Sequence, residues 1–192
     1  MPGSGKSTFA RQLNASFPGV IVTVCQDVLK SRGKCEKVTR TTLQENPTGR
    51  VVVVDRTNIS REQRTHWYRI AEECGSRVDV IYFKRTPEEC ISRADLRLRE
   101  GGEGHPTITK LGGGKRVVNM MKNKITLPTE IESKAVRNIF VSENDEDTKG
   151  VLKFYLDVGG GVGEGGGEVI DLTEHGEDGG EGGDVKRQRR FS

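Results

Sequence analysis

Apolar residues in this chain keep two rhythms. VIVTV (Val20–Val24), VVVVD (Val51–Asp55), VDVIYF (Val78–Phe83) and Val136–Ser142 are short, β-branched runs bounded by turn residues, the pattern of strands. The four valines before Asp55 do not alternate, so that strand is covered on both faces, as in a parallel sheet. Between these runs the spacing changes to three and four. Phe9, Ala10, Leu13 and Phe17 predict a helix starting near Thr8. A helix of mixed polarity is expected from Val28 to Gln44, ended by the Asn-Pro-Thr-Gly turn at 46–49. Ser60 and Gln63 form a capping box for a helix bearing Trp67, Ile70, Ala71 and Cys74, with Gly75 as its stop. Thr86, Pro87 and Glu89 open another that runs to about Arg99. A Gly-rich loop, GGEGHPT, leads to a short helix with Val117, Val118, Met120 and Met121. VLKFYLDV (Val151–Val158) reads as one more strand or as a non-native stretch left by a reading error.

Strand–helix alternation with right-handed crossovers gives the α/β class, a doubly wound parallel sheet with helices on both faces. Such sheets bind ligands at the carboxyl ends of their strands, where Asp27 and Asp55 both stand. Composition then separates the chain in two. From Asp157 to Asp184 it is mostly Gly, Glu and Asp, with nine acids and no Lys or Arg. Too little apolar surface is available there to offset ordering entropy, so a disordered tail is expected over 157–192 and a folded domain over 1–156. The overall charge of +3 hides a domain with 27 bases against 19 acids, a balance that suits a polyanionic substrate. Four cysteines show no metal spacing and point to a reducing compartment. No signal peptide or membrane span appears. The basic C-terminus VKRQRRFS has the density of an import signal, so the expected location is nuclear or cytoplasmic.

The chemistry gathers at the start of the chain. In GSGKS, Gly3 and Gly5 let backbone N–H groups turn inward around an anion, together with Ser4. Lys6 sets a cation against the outer phosphates, Ser7 offers a hydroxyl to Mg²⁺, and Thr8 begins the helix whose dipole points at the same spot. The full motif has a further Gly one place before Met1, preceded by a buried strand. The sheet is therefore expected to lack its first, central strand, and the chain to fold only partly on its own. Asp55 ends its strand as a Walker B acid does, with a metal-bound water or Ser7 as its target; its other reading is a plain strand end. Asp27 is either a general base or a helix N-cap. Arg93 and Arg97 share a helix face beside the Gly-rich loop, where they would close over a nucleotide; Glu89 and Arg93 also make an ordinary i,i+4 pair. His105 is a loop histidine, and Trp67 belongs to the core.

GSGKSTFA, QDVLKSRGKC (Gln26–Cys35), VVVVDRTN with REQRTHW, and TPEECISR…GHPT together resemble the kinase domain of the polynucleotide 5′-hydroxyl kinase/3′-phosphatase family, over roughly residues 1–142. The resemblance implies a P-loop kinase using ATP and Mg²⁺, with nucleic-acid 5′ ends as partner and a place in repair or processing. It implies Asp27 as general base, Lys6 and Ser7 on phosphate and metal, and Arg97 in the lid. Phage-type members have an Arg three residues after the base, where Lys30 stands; Lys30 and Arg32 are the candidate substrate contacts. No D-x-D-G-T phosphatase signature occurs. The competing expectations are a P-loop kinase for a small hydroxylated molecule and a non-catalytic nucleotide- or nucleic-acid-binding remnant.

Overall fold

The computed structural model describes residues 2–46, 49–100, 108, 110–158, 167–174 and 188–189. In chain order they form α1 (Lys6–Ser16), β1 (Ile21–Cys25), α2 (Gln26–Leu29), α3 (Arg32–Glu45), β2 (Val51–Asp55), α4 (Arg61–Glu73), β3 (Arg77–Phe83), α5 (Pro87–Arg99), α6 (Gly113–Lys122), β4 (Val136–Ser142), α7 (Asp145–Val158), β5 (Glu168–Glu174) and the two-residue β6 (Gln188–Arg189). The strands make one sheet in the order β1-β2-β5-β3-β4-β6, and every neighbouring pair is parallel.

The period of two in a strand sends alternate residues to opposite layers. Val52, Val54, Val78, Val80 and Val169 pack with Trp67, Tyr68, Ile70 and Ala71 of α4 and with Cys35 and Leu43 of α3. Val51, Val53, Ile81, Phe83, Ile170 and Leu172 pack on the other side with Phe9, Ala10 and Leu13 of α1 and Val151 and Tyr155 of α7. A third, separate cluster joins Cys90 and Ile91 of α5 to Val118 and Met121 of α6. The expected doubly wound sheet with helices on both faces is therefore present. Among the described residues no helix is long and apolar enough to cross a membrane.

The middle of the sheet corrects two expectations. It is not vacant, because β5 lies there, paired to β2 (Val53↔Ile170) and to β3 (Val78↔Val169). The same strand falls inside 157–192, so the disordered reading fails over Glu168–Glu174. Its glycine-rich flanks and acids lower the average over the segment, yet EVIDLTE carries three large aliphatic residues, each at most 1% exposed. The rest of the expected tail lies outside the described residues, apart from Asp157 and Val158 at the end of α7, Gly167 and β6, as do GGEGHPT and His105.

Two helix expectations change as well. Val151–Val158 is not a strand but most of α7. Val151, Leu152, Phe154 and Tyr155 sit at helical spacing, and Phe140 of β4 receives the rings of Phe154 and Tyr155 at 5.0 and 5.9 Å. The helix expected over 28–44 is broken in two. Lys30 takes a left-handed backbone (φ 64°), and Ser31 then caps α3 by accepting from the Lys34 amide at 3.2 Å.

Candidate active site

The first turn of α1 rises directly out of the glycine loop. Gly3 (φ 90°) and Gly5 (φ 103°) both occupy the positive-φ region that glycine alone adopts without strain. Gly3 has a second constraint, since a Cβ there would stand 2.3 Å from the carbonyl oxygen of Cys90 in α5. Ser4 and Lys6 are buried, with Lys6 Nζ donating to Ser4 Oγ at 3.3 Å. Burial pushes the Lys6 ammonium down to about 8, against the pull of Asp55, Cys90 and Asp27. A cation so poised takes up an anion at little further desolvation cost, and the anion raises its pKa again.

The loop forms one wall of a cavity of about 310 Å³ at the carboxyl end of the sheet. Gly3 to Thr8 line it from the loop and the first turn of α1, Asp27 from the start of α2, Asp55 from the end of β2, and Arg97 from α5. Asp27 is not an N-cap; Cys25 holds that place, and Asp27 sits exposed in the first turn of α2. Val28 beside it is 74% exposed, so the mouth is open on this side. Asp55 is almost covered, and Ser7 is exposed. A hydroxyl and a carboxylate facing one cavity suit Mg²⁺, which takes one or two protein oxygens and fills its shell with phosphate and water. Among the described residues there is no group of three or more His, Cys, Asp or Glu that could hold a metal ion.

Three candidates lie elsewhere. Arg93 pairs with Asp145 at 3.2 Å, at the start of α7, and does not line the cavity. Lys30 is exposed in its left-handed turn. Arg32 bonds His66 Nε2 at 3.1 Å and Glu36 at 2.9 Å, on the α3–α4 side. Gln26, Arg56, Thr57, Gln63 and Met121 line the cavity without having been singled out by sequence. For Arg56 a signal existed: it follows Asp55 directly, so it too leaves the sheet at the carboxyl edge. Its guanidinium carbon lies 5.9 Å from the centre of the Trp67 ring.

The segment after Asp55 is braced from beneath. Asn58 is fully buried; its amide donates to Asp171 Oδ1 of β5 at 2.5 Å and accepts from Trp67 Nε1 at 3.1 Å. Thr173 of β5 donates to the Asn58 carbonyl. The Asp-x-Thr-Asn box thus ties the cavity wall to the central strand.

A glycine-bent loop with lysine at a helix start, facing strand-end aspartates of a parallel sheet, defines a P-loop nucleotide-binding protein of the kinase-like type. The chain belongs to the AAA domain family (AAA_33), whose model matches residues 1–111. It is also similar to a protein of Arabidopsis thaliana described as transcription factor bHLH140, at 28% identity over 163 residues. That similarity takes in 82% of this chain but only 17% of the relative's length.

Proposed function

We propose that this chain is an ATP-dependent kinase that transfers the γ-phosphate to a 5′-hydroxyl end of DNA or RNA. The observation that carries the reading is one cavity lined at once by the phosphate loop, Asp27, Asp55 and Arg97. The net charge of +8 over residues 1–156 and the open mouth at Asp27 and Val28 support a polymeric, anionic acceptor over an enclosed small molecule. The Arabidopsis relative's description as a transcription factor is consistent with work on nucleic acid.

In this reading the loop amides and Lys6 hold the β- and γ-phosphates. Ser7 and Asp55 would hold Mg²⁺, which when bound neutralises charge on the phosphate oxygens. Asp27 accepts the proton of the attacking hydroxyl as its oxygen bonds to the γ-phosphorus. The bond to the β–γ bridging oxygen breaks in line, and the electron pair leaves with ADP. Arg97 lies at the cavity wall, where it offsets charge on the transferring group.

With Mg²⁺ and labelled ATP, a 5′-hydroxyl oligonucleotide is expected to become labelled and its 5′-phosphorylated counterpart to stay unlabelled. Asp27→Ala is expected to lower kcat by roughly 10²–10⁴-fold with ATP affinity nearly retained. Label on small alcohols or nucleosides and none on oligonucleotides would overturn the reading. Collapse of ATP binding in Asp27→Ala would move that residue from proton transfer to metal or structure.

A further inference from the structure

We infer that Arg56 is a second anion-binding residue, on the acceptor side of the cavity, and that it takes the phosphodiester following the accepting nucleotide. The ligand's identity rests on the 5′-hydroxyl kinase reading; the anion site rests on geometry alone.

Lys6 and Arg56 approach the cavity from opposite faces of the sheet. Lys6 belongs to α1, which packs on Val51 and Val53. Arg56 lies over Trp67 of α4, and the titratable groups around it are Cys35, Arg32, Asp171 and Glu36. All but Asp171, on the strand beneath, belong to α3, on the layer opposite α1. The strand-end carboxylates Asp27 and Asp55 line the same space between them. The loop's own amides and Lys6 serve the nucleotide, which leaves the opposite cation for the other substrate.

The state of the guanidinium points to a missing partner. Among the described residues no carboxylate forms an ion pair with it, and its Nη1 is buried with no hydrogen-bond acceptor. With its central carbon over the Trp67 ring, the guanidinium has N–H groups left to bond an acceptor such as a phosphate. Arg32, which opens α3 and pairs with Glu36, does not line the cavity, so among the described residues Arg56 is the cation on this side of it. A strand with its terminal hydroxyl at Asp27 would bring its first phosphodiester to Arg56. A nucleoside carries no such phosphate, and Arg56 is then the residue that selects polymer over monomer.

Trp67 is the chain's single tryptophan, is fully buried and carries Arg56 on its ring, so its emission reports on this site without any chemistry. The full chain with Mg-ADP is titrated with a 5′-hydroxyl dinucleotide, which has one internucleotide phosphate, and in parallel with the corresponding nucleoside. The dinucleotide is expected to shift the emission saturably and the nucleoside to leave it unchanged. In phosphorylation assays Arg56→Met is expected to raise the dinucleotide KM roughly 10–100-fold, well beyond any change in the ATP KM, with Arg56→Lys between it and the parent. Equal rises in both KM values, or an emission shift that persists in Arg56→Met, would overturn the inference. If Arg56→Met fails to melt cooperatively, Arg56→Lys decides by the same two readouts. The two readings fail separately. An Arg56-dependent shift without any transfer removes the kinase and keeps the anion site; transfer with an Arg56-independent KM does the reverse.

Discussion

Asp171 lies on the face of β5 turned toward α4, fully buried; among the described residues Asn58 is its one hydrogen-bond donor and its Oδ2 has no partner. Burial pushes its carboxyl from 3.8 up to about 7, although Asn58, Arg64 and Arg56 act against the rise. Between those two values the folded chain keeps a proton that the unfolded chain has released. Stability therefore falls as pH rises through that window, and the whole cost is present above it. At about 1.4 kcal/mol per unit the cost is on the order of 4 kcal/mol. Asp171→Asn keeps the acceptor for Asn58 and removes the charge. Its urea midpoint is expected to exceed the parent's at pH 8, with the gain shrinking toward pH 4; an equal loss at both pH values would show that the carboxylate itself is needed. Nothing in the sequence announces such a residue, since Asp171 looks like one acid among nine. That Lys6, Asp27 and Asp55 face one cavity was legible because loop and strand-end positions are local signals, and that Arg97 does so because of its place on the helix before the Gly-rich loop. Arg93 was misplaced because its partner, Asp145, lies 52 residues further on.

The α5–α6 hairpin has its own small core and joins the rest of the molecule through two straps, each held by a buried arginine. At the entry, Arg85 donates to the Ser142 carbonyl at 2.5 Å, and also to Thr148 at 3.0 Å. At the exit, Arg64 on α4 donates to the carbonyls of Asn58, Thr126 and Leu127 and pairs with Glu132 at 2.6 Å, both side chains being at most 3% exposed. Because that strap follows α6, the pair fixes where Met121 and, through the α5–α6 packing, Arg97 meet the cavity. Removing one partner of a buried ion pair leaves an unmatched charge, a loss of about 3–5 kcal/mol, whereas an apolar pair of similar volume is often neutral. Arg64→Met is therefore expected to cost several kcal/mol in urea unfolding, and Arg64→Met with Glu132→Leu to recover part of it. Additive losses would mean that the bonds to Thr126 and Leu127, not the ion pair, hold the strap. At this scale VVVVD and the helix starts at Ser60 and Thr86 were legible, being sequence-local signals, although the Gln63 side chain accepts from the Ile59 amide and so leaves the box expected at Ser60 incomplete. The break at Lys30 was not, because a left-handed lysine has no composition signature.

Across the whole molecule, the central strand comes from the far end of the described chain, and the site depends on it. β5 contributes two parallel ladders, to β2 and β3, and buries Val169, Ile170 and Leu172 between the two helix layers. At about 1.5–3 kcal/mol each, those side chains alone bring roughly 5–9 kcal/mol, close to a domain's whole margin of about 5–15 kcal/mol. Averaging over a glycine-rich, acidic segment concealed a strand of seven residues, which is why a dispensable tail was the natural expectation from composition. The structure reverses it. Asn58 loses both its Asp171 and Thr173 partners when β5 is absent, so the wall that carries Asp55 and Arg56 loses its brace. The inner edges of β2 and β3 would also stand open to pairing with other chains. A chain ending at residue 158 is therefore expected to lose its cooperative melt, to associate, and to bind ATP weakly, while one ending at residue 175 keeps all three properties of the parent. Thermal unfolding, sedimentation and ATP titration of the two truncations decide it. A sharp melt and parental ATP affinity in the chain ending at 158 would show that the sheet holds, and the site stays formed, without its middle strand.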